Sequence, residues 1–183
     1  MALPPQGPSD VVKDNGIYLL MEDITVKSCK EAIHWILEEN LSAKKKPFLQ
    51  LMINSPGGDV SACFALVDAM KGSKIPVRTI GLGLIASCGL LLFIAGERGH
   101  RTLTPNTSIL SHQWSWGSTG KEHELFATVR EFELTSKRLM EHYRKCTGLP
   151  EKTIRDVLLP PQDVWLDSKE ALKYKLCDRV KTL

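Results

Sequence analysis

Apolar positions along this chain switch repeatedly between a short strand-like run and a helical spacing. Residues 17–21 form an apolar run that predicts a strand. After it, Ser28 is a candidate N-cap for a helix to about residue 39, with Ala32, Ile33, Ile36 and Leu37 on one face. Residues 48–53 predict the next strand. The Pro56-Gly57-Gly58 turn then opens a helix with Val60, Cys63, Phe64, Val67 and Met70 at core spacing. Residues 77–82 predict a strand and residues 88–95 a buried helix. Short strands are expected at 102–103 and 108–112.

A long amphipathic helix is expected over residues 121–145, with Leu125, Phe126, Val129, Phe132, Leu139, Met140 and Tyr143 on its apolar side. Gly148 is its expected terminator, and Pro150 starts a shorter helix as its first-turn residue. A strand–helix–strand unit closes the chain over residues 164–180, with Asp167 and Glu170 at capping-box spacing. Strands alternating with helices imply an α/β fold of parallel units. The long helix is larger than one small core requires.

At 183 residues, 43% hydrophobic and 25% charged, the chain has the composition of one globular domain, residues 16–183. Residues 1–15, with Pro4, Pro5, Gly7 and Pro8, read as a flexible arm without the features of a signal peptide. The net charge of +3 and the single basic run Lys44-Lys45-Lys46 do not make a nucleic-acid-binding face. Five scattered cysteines without a C-x-x-C pair indicate neither zinc nor a disulfide framework, and fit a reducing compartment. Residues 79–96 are uncharged and approach membrane-span length, but four glycines punctuate them. A buried strand followed by a buried helix is the better reading, so no membrane association is expected.

The strongest chemical signal is Gly81-Leu82-Gly83-Leu84-Ile85-Ala86-Ser87-Cys88-Gly89. A serine where an apolar strand turns into an apolar helix gains an exposed oxygen and nearby backbone N–H groups. Gly81-x-Gly83-x-x-Ala86 also fits a loose dinucleotide fingerprint, but no acidic residue lies about 20 positions on, so the match is chance. Amide hydrolysis by Ser87 needs a base, a residue orienting the base and donors for the oxyanion. His112, beside Ile109 and Leu110, is the candidate base. His34, His100, His123 and His142 read as surface residues. Asp156, Asp163, Asp167 and Asp178 are the candidate acids, of which Asp167 suits a helix cap and Asp156 lies within a helix.

Three segments resemble the proteolytic subunits of the Clp protease, ClpP. They are Ile53-Asn54-Ser55-Pro56-Gly57-Gly58, Ala86-Ser87-Cys88-Gly89, and His112-Gln113. The likeness runs from about Ile17 to the C-terminus. It implies the ClpP/crotonase-like α/β spiral of β-β-α units, with the long helix as a protruding handle. The phrase Asp163-Val164-Trp165-Leu166-Asp167-Ser168-Lys169-Glu170-Ala171 is similar to the family segment that opens on the triad acid, which selects Asp163. Asp178 falls instead in a phrase similar to the family's last one.

The resemblance implies a Ser87–His112–Asp163 triad, an oxyanion hole from the N–H groups of Gly58 and Cys88, and no metal or organic cofactor. It further implies peptide or unfolded-protein substrates. The assembly would be two stacked heptameric rings of this chain, or a mixed ring with other ClpP-type subunits. The location would be the cytoplasm, or an organelle's stroma or matrix. Two other readings stay open: a catalytically silent ring subunit, and a crotonase-like acyl-CoA hydratase or isomerase.

Three features depart from the family. The arm before Ile17 is short and lacks the lead-in that forms axial loops, so partnership with an AAA+ unfoldase is doubtful. Pro161-Gln162 stands where the family has an Asp-Arg pair before the catalytic acid. Trp114 and Trp116 replace a proline and a glycine after His112-Gln113, beside the substrate cleft.

Overall fold

A computed structural model describes residues 8–115 and 117–183. Residues 1–7 of the expected arm, and Trp116, lie outside the described residues. Within the rest of the arm, Pro8–Asp14 forms a helix, α1. Strand β1 (Ile17–Leu20) follows, then helix α2 (Val26–Leu41). The cap of α2 is Thr25 rather than Ser28. Thr25 accepts from the Ser28 N–H at 3.0 Å, while the Ser28 hydroxyl accepts from the Thr25 N–H at 2.9 Å. Ser28 is thus the second half of a capping box, a role its residue type shares with a cap. Cys29, Ala32, Trp35 and Ile36 face the core, whereas Leu37 points outwards.

Strand β2 (Leu49–Ser55) leads into α3 (Val60–Gly72), capped by Asp59. Strand β3 runs over Val77–Ala86, four residues past its expected end, and helix α4 (Cys88–Ile94) starts after one residue. The uncharged stretch is therefore half strand and half buried helix, and no described helix is long and apolar enough to cross a membrane. Gly81 and Gly83 lie inside β3, not on a strand-to-helix turn, which removes the dinucleotide reading.

Strands β4 (Arg101–Leu103) and β5 (Ser108–Ser111) precede the long helix α5 (Glu122–Thr147), which Gly148 ends in a left-handed conformation. Pro150 is the cap of α6 (Glu151–Thr153), not its first-turn residue, and the helix continues as one π-turn over Ile154–Leu158. Strand β6 (Val164–Leu166), helix α7 (Ser168–Lys173) and strand β7 (Arg179–Val180) complete the described chain, with the Asp167–Glu170 capping box as expected.

The strands form one sheet in the order β1-β2-β3-β4-β7, with β5 branching from the end of β3 and β6 pairing with β5. Every pairing is parallel except β5–β6. A bulge between Ile53 and Ser55 shifts the β2–β3 register just before the serine. Only the second half of α5 packs on the core, through Leu139, Met140 and Tyr143. Leu125, Phe126 and Val129 in its first half are exposed.

Two polar groups are built into this core. Arg101 is buried and its guanidinium forks onto Asp178 at 2.7 and 2.9 Å while also donating to the Cys146 carbonyl. Partial burial pushes the Asp178 carboxyl up, but the Arg101 contacts prevail and hold it below the usual carboxylate range. His142 is buried, against the expectation of a surface residue, with Nε2 at 2.8 Å from the Leu91 carbonyl. Burial lowers its pKa to about 4; Lys71 and Lys145 push the same way, Asp68 and the Leu91 carbonyl oppose.

The unfolded chain therefore takes a proton on His142 below the ordinary value of 6.5, and the folded chain only below about 4. Stability should fall as pH drops through that window, by on the order of 3 kcal/mol for this group. Urea midpoints at pH 7 and pH 4.5, at fixed protein concentration, should differ less for His142→Gln than for the unchanged chain. An equal loss in both would remove His142 as a cause.

Candidate active site

Register brings the site together. Parallel pairing sets Ala86 of β3 against Leu110 of β5, so Ser87 emerges beside the end of β5 and its N–H donates to the Leu110 carbonyl at 3.0 Å. Antiparallel pairing sets Ser111 of β5 against Val164 of β6. The next residue in each direction is His112 and Asp163. His112 thus stands one residue past its strand, not on it, and its Nδ1 lies 3.6 Å from an Asp163 carboxylate oxygen. Its other nitrogen, Nε2, is buried and without a hydrogen-bond partner among the described residues. Ser87 and His112 line one small cavity with Val60, Cys88, Leu91, Trp114, Leu139 and Tyr143.

Ser87 has φ 53° and ψ −122°, a conformation that non-glycine residues rarely adopt. Strain of that kind concentrates where a side chain must be displayed. It persists because both sides of the turn are fixed: β3 holds the entry, and the Leu90 and Leu91 N–H groups close on the Ser87 carbonyl at 2.9 and 3.2 Å. Gly57 makes room, since a Cβ there would come within 2.6 Å of the Ser87 Cβ.

The donors expected at Gly58 and Cys88 are arranged with the same economy. Ile24 pairs with both sides of Gly58, donating to the Gly57 carbonyl and accepting from the Asp59 N–H, each at 2.8 Å. The Gly58 carbonyl accepts from the Cys88 thiol at 3.2 Å. Among the described residues, neither the Gly58 nor the Cys88 N–H donates to a backbone carbonyl. The clamp leaves no space for a side chain, because a Cβ on Gly58 would meet the Ile24 carbonyl oxygen at 2.2 Å.

Thiol chemistry around this clamp was not legible in the cysteine spacing. Cys63 on α3 donates to the Cys88 carbonyl at 3.4 Å. A side-chain interaction between the two thiols holds the Cys88 thiol below the usual thiol range despite burial, and pushes the Cys63 thiol well above it. All five cysteines are free and buried. Leu139 and Tyr143 of α5 were missed as site walls, because their spacing reads only as core. Tyr143 is fully enclosed, hydrogen-bonds the Ser111 hydroxyl at 3.0 Å, and burial raises its pKa to about 12.

The other candidate acids are engaged elsewhere. Asp178 holds Arg101, Asp167 accepts from the Glu170 N–H at 2.8 Å, and Asp156 pairs with Lys152. Asp59, beside Gly58, spends its carboxylate on the Ala62 N–H at 2.7 Å as the cap of α3. No group of three His, Cys, Asp or Glu among the described residues could hold a metal ion.

Comparison with known proteins agrees with this architecture. The Clp protease family profile matches residues 8–182, so the likeness starts within the arm and not at Ile17. An ATP-dependent Clp protease proteolytic subunit of Deinococcus radiodurans is 40% identical over 72% of this chain and 64% of its own length, just under two thirds of that relative. The ATP-dependent Clp protease proteolytic subunit 1 of Chlamydia caviae is 37% identical over 87% of this chain and 83% of its own. The proteolytic subunit 3 of Rhizobium meliloti is 30% identical over 100% of this chain and 91% of its own. A serine elbow, a glycine clamp and a histidine–aspartate pair on this parallel sheet are carried by a chain that belongs to the Clp protease family.

Proposed function

We propose that this chain is a serine endopeptidase of the Clp proteolytic-subunit type, acting on peptides and unfolded protein segments. One observation carries the reading most: His112 lines the cavity that Ser87 lines, its Nε2 is buried and without a partner among the described residues, and its Nδ1 lies 3.6 Å from Asp163. His112 takes the Ser87 proton through Nε2 as the hydroxyl oxygen attacks the scissile carbonyl. Asp163 holds the ring by its Nδ1–H and stabilises the imidazolium. The Gly58 and Cys88 N–H groups receive the oxyanion. His112 then gives its proton to the leaving amine, and water, deprotonated by His112, resolves the acyl-enzyme. The 3.6 Å His112–Asp163 separation shortens to a hydrogen bond when substrate fills the site. The mechanism uses no metal or organic cofactor.

The assembly belongs to the same proposal. Leu125, Phe126 and Val129 expose an apolar stripe on α5 that favours association. Two stacked heptameric rings, or rings mixed with other ClpP-type subunits, would cover it. An AAA+ unfoldase is the partner that would feed folded substrates.

Labelling with a fluorophosphonate tests the activity. Attachment at Ser87, located by peptide mass mapping and lost in His112→Ala, is the expected result. Absence of any adduct would favour a silent ring subunit and overturn the peptidase reading.

A further inference from the structure

One large side chain in the site has no part in the hydrolysis just described. Trp114 lies two residues past His112 and packs, half-buried, against the core. Its indole stacks on Phe132, with ring centroids 5.1 Å apart and planes at 21°. Its Nε1–H donates to the Ser136 hydroxyl at 3.3 Å.

Two cavities meet at this indole. The space between Ser87, Cys88 and His112 is about 20 Å³, room for one water molecule. A second cavity of about 280 Å³, lined by Phe132, Met140 and Leu159 among others, could enclose a large apolar side chain. Trp114 and Leu139 border both. Those two shared walls stand between Ser87 and the larger cavity.

Leu139 is fixed: it is buried within α5. Trp114 belongs to the irregular segment between β5 and α5. Among the described residues, one ring stack, one long hydrogen bond and packing on the core hold the half-buried indole, while the neighbouring Gln113 is anchored by its Nε2 donating to the Leu159 carbonyl at 2.9 Å. The indole can therefore swing about a fixed backbone.

We propose that Trp114 is a specificity-determining gate between Ser87 and the 280 Å³ cavity, an inference that rests on the serine-peptidase reading. With the indole stacked on Phe132 the larger cavity is closed to substrate. Peptides with a small residue before the scissile bond need only a slight displacement of the indole. Those with a bulky aromatic residue there need it to leave the stack, so the chain discriminates against them.

The test uses the full-length chain and two paired reagents: peptide substrates with alanine or phenylalanine before the scissile bond, and fluorophosphonates bearing a methyl or a benzyl group. Trp114→Ala should raise the phenylalanine-to-alanine ratio of kcat/KM by about tenfold or more, the scale expected when a hydrophobic pocket changes size. Ser136→Ala removes only the latch at the indole N–H and should shift the ratio the same way by a smaller factor. Labelling ratios for the two fluorophosphonates should follow both variants. Labelling of Ser87 with ratios unchanged in both variants would overturn the gate alone. Failure of both fluorophosphonates to label the unchanged chain would overturn the serine-peptidase reading and the gate with it. A Trp114→Ala chain that does not fold leaves Ser136→Ala to decide, and an unchanged ratio there would count against the gate.

Discussion

Replacing Ser87 by alanine should lower kcat for short fluorogenic peptides by about 10⁶-fold, the scale of losing a serine nucleophile. The residue caps no helix through its side chain and its Cβ already fits against Gly57, so alanine should leave fold and assembly intact. Circular dichroism and light scattering of the variant provide that control. His112→Ala should be comparably severe, because nucleophile and base act as a unit and their losses do not add. Asp163→Asn should cost less, about 10⁴-fold, since only orientation and charge support are lost. The side chain of Asp163 is 61% exposed, against 25% for His112, so water supports the imidazolium in part and the loss should sit at or below that figure. Turnover in Ser87→Ala above the background of the buffer would end the serine mechanism for this chain.

Gly58→Ala should lower kcat as well, less than loss of a triad residue and by a different route. Gly58 has φ 144°, where side chains are strained, and its added Cβ would press on the Ile24 carbonyl oxygen. Relief requires the two Ile24 hydrogen bonds to lengthen, which would rotate the Gly58 N–H out of the proposed oxyanion hole. Loss of one oxyanion donor is worth about 10²–10³ in kcat. KM should change far less, because the donor matters most once charge has formed on the oxygen. Gly72→Ala is the control: it ends α3 with nothing within 4 Å of its added Cβ, and should leave both constants near their starting values. A Gly58→Ala chain with unchanged kcat would place the oxyanion elsewhere.

The linear pattern by itself determined most of the elements, and with the resemblance it motivated the proposal of serine chemistry. The switch from strand to helix at Ser87 was legible because small residues flank it between two apolar runs. The choice of Asp163 among four aspartates came from the resemblance of its phrase, not from spacing. Gly148 as terminator and Asp167–Glu170 as a capping box were equally readable, since both are local backbone requirements.

Contacts between distant segments decided the rest. Ser28 and a true cap have the same side-chain chemistry, and only the backbone of Thr25 distinguishes them. The helical face of α5 looks uniform in sequence, yet its second half is buried and its first half exposed, because the core ends partway along it. His142 sits on that helix among charged neighbours, and nothing local reveals that α4 offers it the Leu91 carbonyl. The Cys88 thiol on the Gly58 carbonyl, and Trp114 between two cavities, likewise depend on segments far apart in the chain. Periodicity reports which side of an element is apolar; what that side meets is set by strand register and helix packing, which a linear pattern does not encode.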